Sequence, residues 1–256
     1  MTGPLMRASG LVKTFGSHRA VDEVSFDVAP GEILGIVGES GSGKSTTGKM
    51  CLGLMKPDAG VVEFDGIDLA RQSRAAMRAL RARLQVVPQN PQTSLNPRLT
   101  IAGSMEFNMR AHGMAAPRRK ALVVELLERV GLAEAHATRY PHQLSGGQLQ
   151  RVAIARALST SPDLVVCDEA VSALDKSVQA QVLNLIADLQ KQLGVAFVFI
   201  SHDLAVVEHI CDNVVVMYHG KVVEQGSAQQ IWSAPTHDYT ASLLAAIPGK
   251  SLFMTA

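Results

Sequence analysis

The sequence predicts an α/β fold in which parallel strands are joined by crossover helices and interrupted by a helical insert. Three observations lead there. Short apolar runs, EILGIVG (32–38), LVVC (164–167) and VAFVFI (195–200), each end in glycine or polar residues, as strands buried on both faces do. Between the last two, residues 178–193 carry apolar side chains on one helical face. From about residue 97 to residue 158 the pattern turns helical, and ALVVELLERVGL stops at Gly131, a glycine suited to a helix C-terminus.

The elements follow in order. Residues 5–28 mix short alternating runs with turn residues, and SFDVAPGE reads as a strand followed by a Pro-Gly turn. EILGIVG is the first buried strand. A helix starts at about Lys44 and runs through STTGKMCLGLM, and GVVEFDGIDL is a strand and turn that return to the sheet. VVPQ (86–89) is a further apolar run ending in a glutamine. The insert comes next, then LVVC, the amphipathic helix and VAFVFI. There is no internal repeat and no low-complexity tract.

Composition excludes several classes. With 47% apolar and 18% charged residues over 256 positions, the chain is globular and long enough for one sizeable domain with a subdomain. A net charge of +1 gives no reason to expect nucleic acid. The cluster Arg71, Arg74, Arg78, Arg81, Arg83 is interleaved with Ala and Leu and reads as a solvated helix face. Cys51, Cys167 and Cys211 are far apart, lack metal-ligand spacing and sit in apolar surroundings, which predicts buried free thiols in a reducing compartment. No basic stretch followed by an apolar run opens the chain, so no signal peptide is expected, and the longest apolar runs are too short to span a bilayer.

GESGSGKS fits the phosphate-loop pattern G-x-x-x-x-G-K-[ST], with a strand before it and a helix after it. Its glycines let the backbone wrap a phosphate so that N–H groups of Gly38, Glu39, Ser40, Gly41, Ser42 and Gly43 line the loop. The helix N-terminus adds to that field. Lys44 would reach the β- and γ-phosphates, Ser45 would take a place on Mg²⁺, and Thr46 closes the motif. LVVC followed by Asp168 and Glu169 places two carboxylates at the C-terminal end of a buried strand, the edge where open α/β sheets bind ligands. Asp168 would orient Mg²⁺ through water, and Glu169 would polarise a water for in-line attack on the γ-phosphate.

A third strand ends in Ser201-His202-Asp203. Alone, such a histidine is more often a loop residue; beside the other two motifs, a γ-phosphate contact is favoured. Gln89, by the same positional argument, could touch Mg²⁺ and the attacking water. A second glycine-rich helix start, LSGGQLQR (144–151), lies more than a hundred residues after the first.

Assembled, these residues resemble the nucleotide-binding subunits of ATP-binding cassette (ABC) transporters. GESGSGKST resembles Walker A, Gln89 the Q-loop, LSGGQ the signature motif, VVCDE Walker B, SALD the D-loop with Asp175, and His202 the switch histidine. Phe15, in LVKTFG, stands where the family has an aromatic residue stacked on adenine, more commonly tyrosine. The resemblance implies a P-loop NTPase (RecA-like) core with an N-terminal antiparallel β subdomain and an inserted α-helical subdomain. The ATPase domain would span 1–230, the helical insert about 97–158, and a C-terminal tail 231–256.

The resemblance also explains the second glycine motif. Two cassettes pack head to tail, and each ATP lies between one subunit's P-loop and the other's signature. Ser145, Gly146, Gly147 and Gln148 would then meet the partner's ATP. QNPQTSLNPRLTI, DEAVSALDKSVQAQVLNLI and IWSAPTHDYTASLLAAIP narrow the resemblance to the peptide/nickel importer branch. That branch implies ATP and Mg²⁺, a second ATPase subunit (usually an unlike one), two integral membrane permease subunits and, indirectly, a solute-binding protein. It implies a peripheral place on the cytoplasmic face of the cell membrane. Residues 90–109 would form the groove for a coupling helix of the permease.

Three departures stand out. Ala170 follows Walker B where proline is usual, a substitution more frequent in nickel and metallophore members. THDYT stands where H-P-Y-T is common, with no expected consequence. The sequence ends at Ala256 without the clustered cysteines of many relatives, so no iron–sulfur cluster is expected. The competing reading is an accessory ABC ATPase of a soluble enzyme complex such as carbon–phosphorus lyase. A translation factor would need tandem cassettes, a chromosome-organising ATPase long heptads, and an exporter half a fused membrane domain; the sequence shows none of these.

Overall fold

The structure is a computed structural model that describes residues 3–247. The part of the expected tail beyond residue 247 lies outside the described residues. By internal packing the chain divides into two compact units, one formed by residues up to Ser73 together with those from Ala196 onward, the other by Arg74–Val195.

The first unit opens with β1 (Met6–Phe15) and β2 (His18–Val28), followed by β3 (Ile33–Val37), helix α1 (Lys44–Cys51), β4 (Ala59–Phe64) and the short β5 (Ile67–Asp68). The second contains α2 (Arg74–Arg83), β6 (Leu84–Val87), α3 (Pro91–Ser94), α4 (Ile101–Ala111), α5 (Ala116–Arg129), α6 (Gly146–Leu158), β7 (Leu164–Asp168) and α7 (Lys176–Leu193). The chain then returns to the first unit through β8 (Ala196–Ser201), α8 (Leu204–Ile210), β9 (Asn213–Tyr218), β10 (Lys221–Ser227), α9 (Ala228–Ser233) and α10 (Asp238–Ala245).

The first unit has two β layers. In the N-terminal one the order is β2-β1-β4-β5, all antiparallel. The alternation read in the sequence appears as burial: Met6, Ala8 and Leu11 of β1 and Val24, Phe26 and Val28 of β2 face inward. In the other layer β3 pairs in parallel with both β8 and β9, and β10 joins β9 antiparallel. Every residue of β3 and β8 is buried, which is why both read as unbroken apolar runs.

In the second unit β6 and β7 are parallel, with Leu84 opposite Leu164 and Val87 opposite Cys167. α2 buries Met77 and Leu80 and turns Arg74, Arg78 and Arg81 to solvent, the solvated basic face expected of it. α5 ends as the sequence indicates. Gly131 takes φ 72°, its N–H donates to Glu128 O and the next N–H, of Leu132, to Leu127 O. That pair of hydrogen bonds is the Schellman closure, and glycine supplies its left-handed residue without strain. The same closure at Gly53 stops α1 at Cys51, one turn earlier than the apolar run through Met55 suggests. The reason is local: Gly53 N–H bonds Met50 O and Leu54 N–H bonds Lys49 O, so Leu54 leaves the helix and stays exposed.

Cys51, Cys167 and Cys211 are buried and none is in a disulfide. Burial pushes the Cys51 thiol up to about 12, and burial together with the Asp168 charge raises Cys167 as well, so neither forms a thiolate near neutrality. Among the described residues no cluster of histidine, cysteine or carboxylate side chains is arranged to hold a metal ion on its own, and no helix is long and apolar enough to cross a membrane.

Candidate active site

β3 ends at Val37, and the next six residues, Gly38 to Gly43, form the loop that opens α1. Gly38 adopts φ 147°, and a Cβ there would stand 2.0 Å from the Met217 carbonyl oxygen. Only glycine fits that contact with β9. Gly41 and Gly43 are also left-handed, at φ 84° and 99°. Gly43 is the N-cap of α1 and offers no side chain to the first turn, so the helix start is left to the backbone and to Lys44.

Lys44 is only 4% exposed. Its ammonium donates to Gly38 O at 2.8 Å and Glu39 O at 2.6 Å, with Ser42 Oγ at 3.4 Å. The cation is thus folded along the inside of its own loop, against the dipoles of the two carbonyls. The loop is fastened outside as well. Gly220 N–H, in the β9–β10 turn, donates to Ser42 O at 3.2 Å, and Glu39 N–H donates to the Tyr239 hydroxyl at 2.9 Å. Glu39, Ser40 and Gly41 are exposed at the loop's tip, Ser45 and Thr46 half-buried in the first turn of α1. A buried ammonium, a loop of backbone amides and a hydroxyl at a helix N-terminus are a donor set suited to phosphate oxygens, and the glycines leave room for a close approach.

Phe15 ends β1 opposite His18, with 48% of its surface exposed. Lys13 Nζ lies 5.9 Å from the ring centroid, within cation–π range. Lys13 is itself tied to Asp58 at 2.7 Å, and Thr14 N–H donates to the same carboxylate. The Lys13 and Thr14 donors hold Asp58 below the usual carboxylate range. His202 is exposed in the bend after β8. Behind it Asp203 N–H donates to Ser201 Oγ at 2.9 Å, and Asp203 caps α8.

In the second unit β7 ends at Asp168, half-buried, and Glu169 follows with φ 48°, a left-handed conformation that costs a non-glycine residue strain. The backbone there is pinned, because Ser172 donates to Glu169 O through both its N–H (3.1 Å) and its hydroxyl (3.0 Å). The Glu169 carboxylate accepts from the Gln89 amide at 2.7 Å. The sequence places Gln89 at the end of an apolar run and, by resemblance, in the Q-loop; the structure joins it to the carboxylate eighty residues away. α3 begins directly after, with Asn90 as N-cap and Pro91 at its first position, and its end is held by Arg156, whose guanidinium donates to Ser94 O at 2.6 Å.

α6 starts in the second glycine motif. Ser145 is its N-cap in a capping box: Gln148 N–H donates to Ser145 Oγ at 3.3 Å, and Ser145 N–H to Gln148 Oε1 at 3.0 Å. Gly146 and Gly147 are ordinary helical residues of the first turn. A Cβ on Gly147 would stand 2.6 Å from Val178 Cγ1, so this glycine lets α7 approach. Asp175 caps α7, accepting from Val178 N–H at 2.9 Å and Ser177 Oγ at 2.7 Å, and these two donors hold its carboxyl below the ordinary range. A cavity of about 370 Å³ is lined by Gln89, Asn90, Gly146, Gln150, Ala170 and Leu174. Gln150 is 1% exposed, and its amide nitrogen has no hydrogen-bond partner among the described residues. Sequence reasoning passed over Gln150 and Tyr239; an apolar-sided helix and a short tail gave no sign of what either side chain meets.

The family model for ABC transporters matches residues 21–172, which contain the phosphate loop, Gln89, the Ser145 motif and the Asp168-Glu169 pair. The chain belongs to the ABC transporter family. A peptide import ATP-binding protein of Brucella ovis is 48% identical over 250 residues, covering 96% of this chain and 79% of that protein. The glutathione import ATP-binding protein GsiA of Escherichia coli is 50% identical over 257 residues, again 96% of this chain but 41% of that longer protein. Among solved structures, a dimeric ATP-binding cassette in a post-hydrolysis state, bound to ADP and phosphate, superposes with a TM-score of 0.77 at 29% identity, over 87% of this chain and 98% of that one. The ABC cassette therefore has the α/β fold expected, and it is an ATP-binding ATPase. Phe15, Asp175 and His202 lie outside the matched span.

Proposed function

We propose that this cassette is the ATP-hydrolysing subunit of a binding-protein-dependent importer for peptides or for nickel or a metallophore. The observation that carries the reading is the loop around Lys44, with its buried ammonium and left-handed glycines, in a chain that shares nearly half its residues with a peptide import subunit. The likeness to two import ATP-binding proteins favours this over an accessory subunit of a soluble enzyme. Within it, residues 1–230 serve as the ATPase domain with the insert at about 97–158, and 231–256 as the tail.

In this reading the amides from Glu39 to Gly43 and the Lys44 ammonium hold the β- and γ-phosphates, and Phe15 stacks on the base. Ser45, Asp168 and Gln89 would hold Mg²⁺, which neutralises phosphate charge when bound. Glu169 accepts the proton of the attacking water; its strained, doubly pinned backbone and its bond from Gln89 fix the carboxylate's direction. His202 donates to the γ-phosphate. Ser145, with Gly146, Gly147 and Gln148, meets the ATP of a second cassette, and Asp175 orders the loop beside it. Permease subunits dock on residues 90–109.

The test is an affinity purification of the full chain from detergent-solubilised membranes and, in parallel, from the soluble fraction, with co-purifying proteins identified by mass spectrometry. Two polytopic membrane proteins and a second ATPase are expected. A soluble enzyme assembly without membrane subunits would contradict the importer.

A further inference from the structure

The tail of the first unit is tied to the phosphate loop by a short chain of contacts that the proposed mechanism does not use. It begins at Glu224, a carboxylate 8% exposed on β10. Glu224 accepts from Thr236 N–H at 2.7 Å, Thr236 Oγ1 at 2.9 Å and His237 N–H at 3.1 Å. Burial pushes this carboxyl up, but the donors ranged on it outweigh burial and keep it ionised below its ordinary range.

The anchored segment leads directly into α10. His237 is the N-cap, its Nδ1 accepting from Tyr239 N–H at 3.1 Å, and Asp238 occupies the first helical position. An acidic residue there complements the helix dipole, and proline there fits because its missing N–H is unneeded; both suit the site. The departure from H-P-Y-T to THDYT therefore leaves the helix start intact.

One residue later, Tyr239 packs its ring on Tyr218, with centroids 4.1 Å apart, and accepts the Glu39 N–H on its hydroxyl at 2.9 Å. Tyr218 in turn sits edge-on to His219 in the β9–β10 turn, whose Gly220 N–H holds Ser42 O. Glu39, which begins the loop's exposed arc, and the buried Ser42, which follows it, are thus both fastened by neighbouring residues of the first unit. Lys44 leans on the carbonyls of Gly38 and Glu39, where the loop begins.

We propose that Tyr239 is a positioning residue for the phosphate loop: by fixing the Glu39 peptide it sets the carbonyls that direct Lys44 and the amides that meet phosphate. The inference rests on the nucleotide-site reading of residues 38–46. Losing one hydrogen bond in a loop that must be ordered to bind lowers ATP affinity about three- to tenfold.

The experiment uses the full chain and its Tyr239→Phe variant, which keeps the ring and removes only the acceptor. The fluorescent analogue mant-ATP is titrated into each, and amide hydrogen exchange and thermal melting are followed in parallel. Tyr239→Phe is expected to bind three- to tenfold more weakly, with faster exchange at Glu39, unchanged exchange across α10 and an unchanged melting temperature. A Kd equal to that of the parent chain, or a weaker Kd accompanied by faster exchange throughout α10 and a lower melting temperature, overturns the inference and leaves the nucleotide site standing. Failure of the parent chain itself to bind mant-ATP overturns the site and the inference together.

Discussion

Two helices of this cassette start in glycine, α1 at Lys44 and α6 at Gly146, and they use their glycines for different reasons. Before α1 the glycines are bent: Gly38, Gly41 and Gly43 all have positive φ, the N-cap has no side chain, and the loop is held from outside by Gly220 and Tyr239. At α6 the glycines are straight. The helix start is completed by its own capping box between Ser145 and Gln148, and Gly147 is small because Val178 of α7 comes within 2.6 Å of where a Cβ would be. The first start is open to a ligand and depends on its surroundings. The second is self-sufficient and presents Ser145 and the following amides as a finished surface. That difference fits a loop that wraps its own ATP and a helix end that meets another chain's.

The largest break in this comparison is Gly38→Ala. A methyl group would collide with the Met217 carbonyl, and alanine at φ 147° is strained, so the loop must move. Mant-ATP affinity should fall roughly a hundredfold or more, by the cost of a strained backbone in a ligand loop. An affinity within threefold of the parent would show that the left-handed loop is not needed for binding. Gly147→Ala should act on the other side of the comparison and more mildly. Overpacking against Val178 should cost about 1–3 kcal/mol in denaturant unfolding, with mant-ATP affinity of the isolated chain unchanged. Adding Val178→Ala should recover much of that stability. If Gly147→Ala instead abolishes nucleotide binding while the chain stays folded, the packing account of this glycine is wrong.

How far the sequence carried depended on how far each feature reaches along the chain. The strand before Gly38, the helix start at Lys44, the Gly131 stop and the buried run before Asp168 all depend on neighbours within a turn or two, and each stands where the pattern put it. The end of α1 departs from the pattern because the apolar run continues through Met55 while the left-handed closure at Gly53 acts through only two hydrogen bonds. What the sequence could not show are pairings over long separations. Gln89 meets Glu169 across eighty residues, Glu39 meets Tyr239 across two hundred, and Gly147 faces Val178 on a different helix. No periodicity records such contacts, since each side chain is ordinary in its own segment. The Ser145 motif sits between these cases. Its capping box is written in the local spacing of serine and glutamine, while its proposed partner is another chain.

The most direct test of the account is the Ser145→Arg variant, measured in two ways: mant-ATP binding by the isolated chain, and ATP turnover by the assembled transporter. The account predicts that binding by the isolated chain stays within about twofold of the parent, since Ser145 is proposed to serve a second cassette's nucleotide, while turnover of the assembly is lost. Loss of nucleotide binding in the isolated chain, or full turnover in the assembly, would contradict it and leave the second glycine-rich start without the role assigned to it.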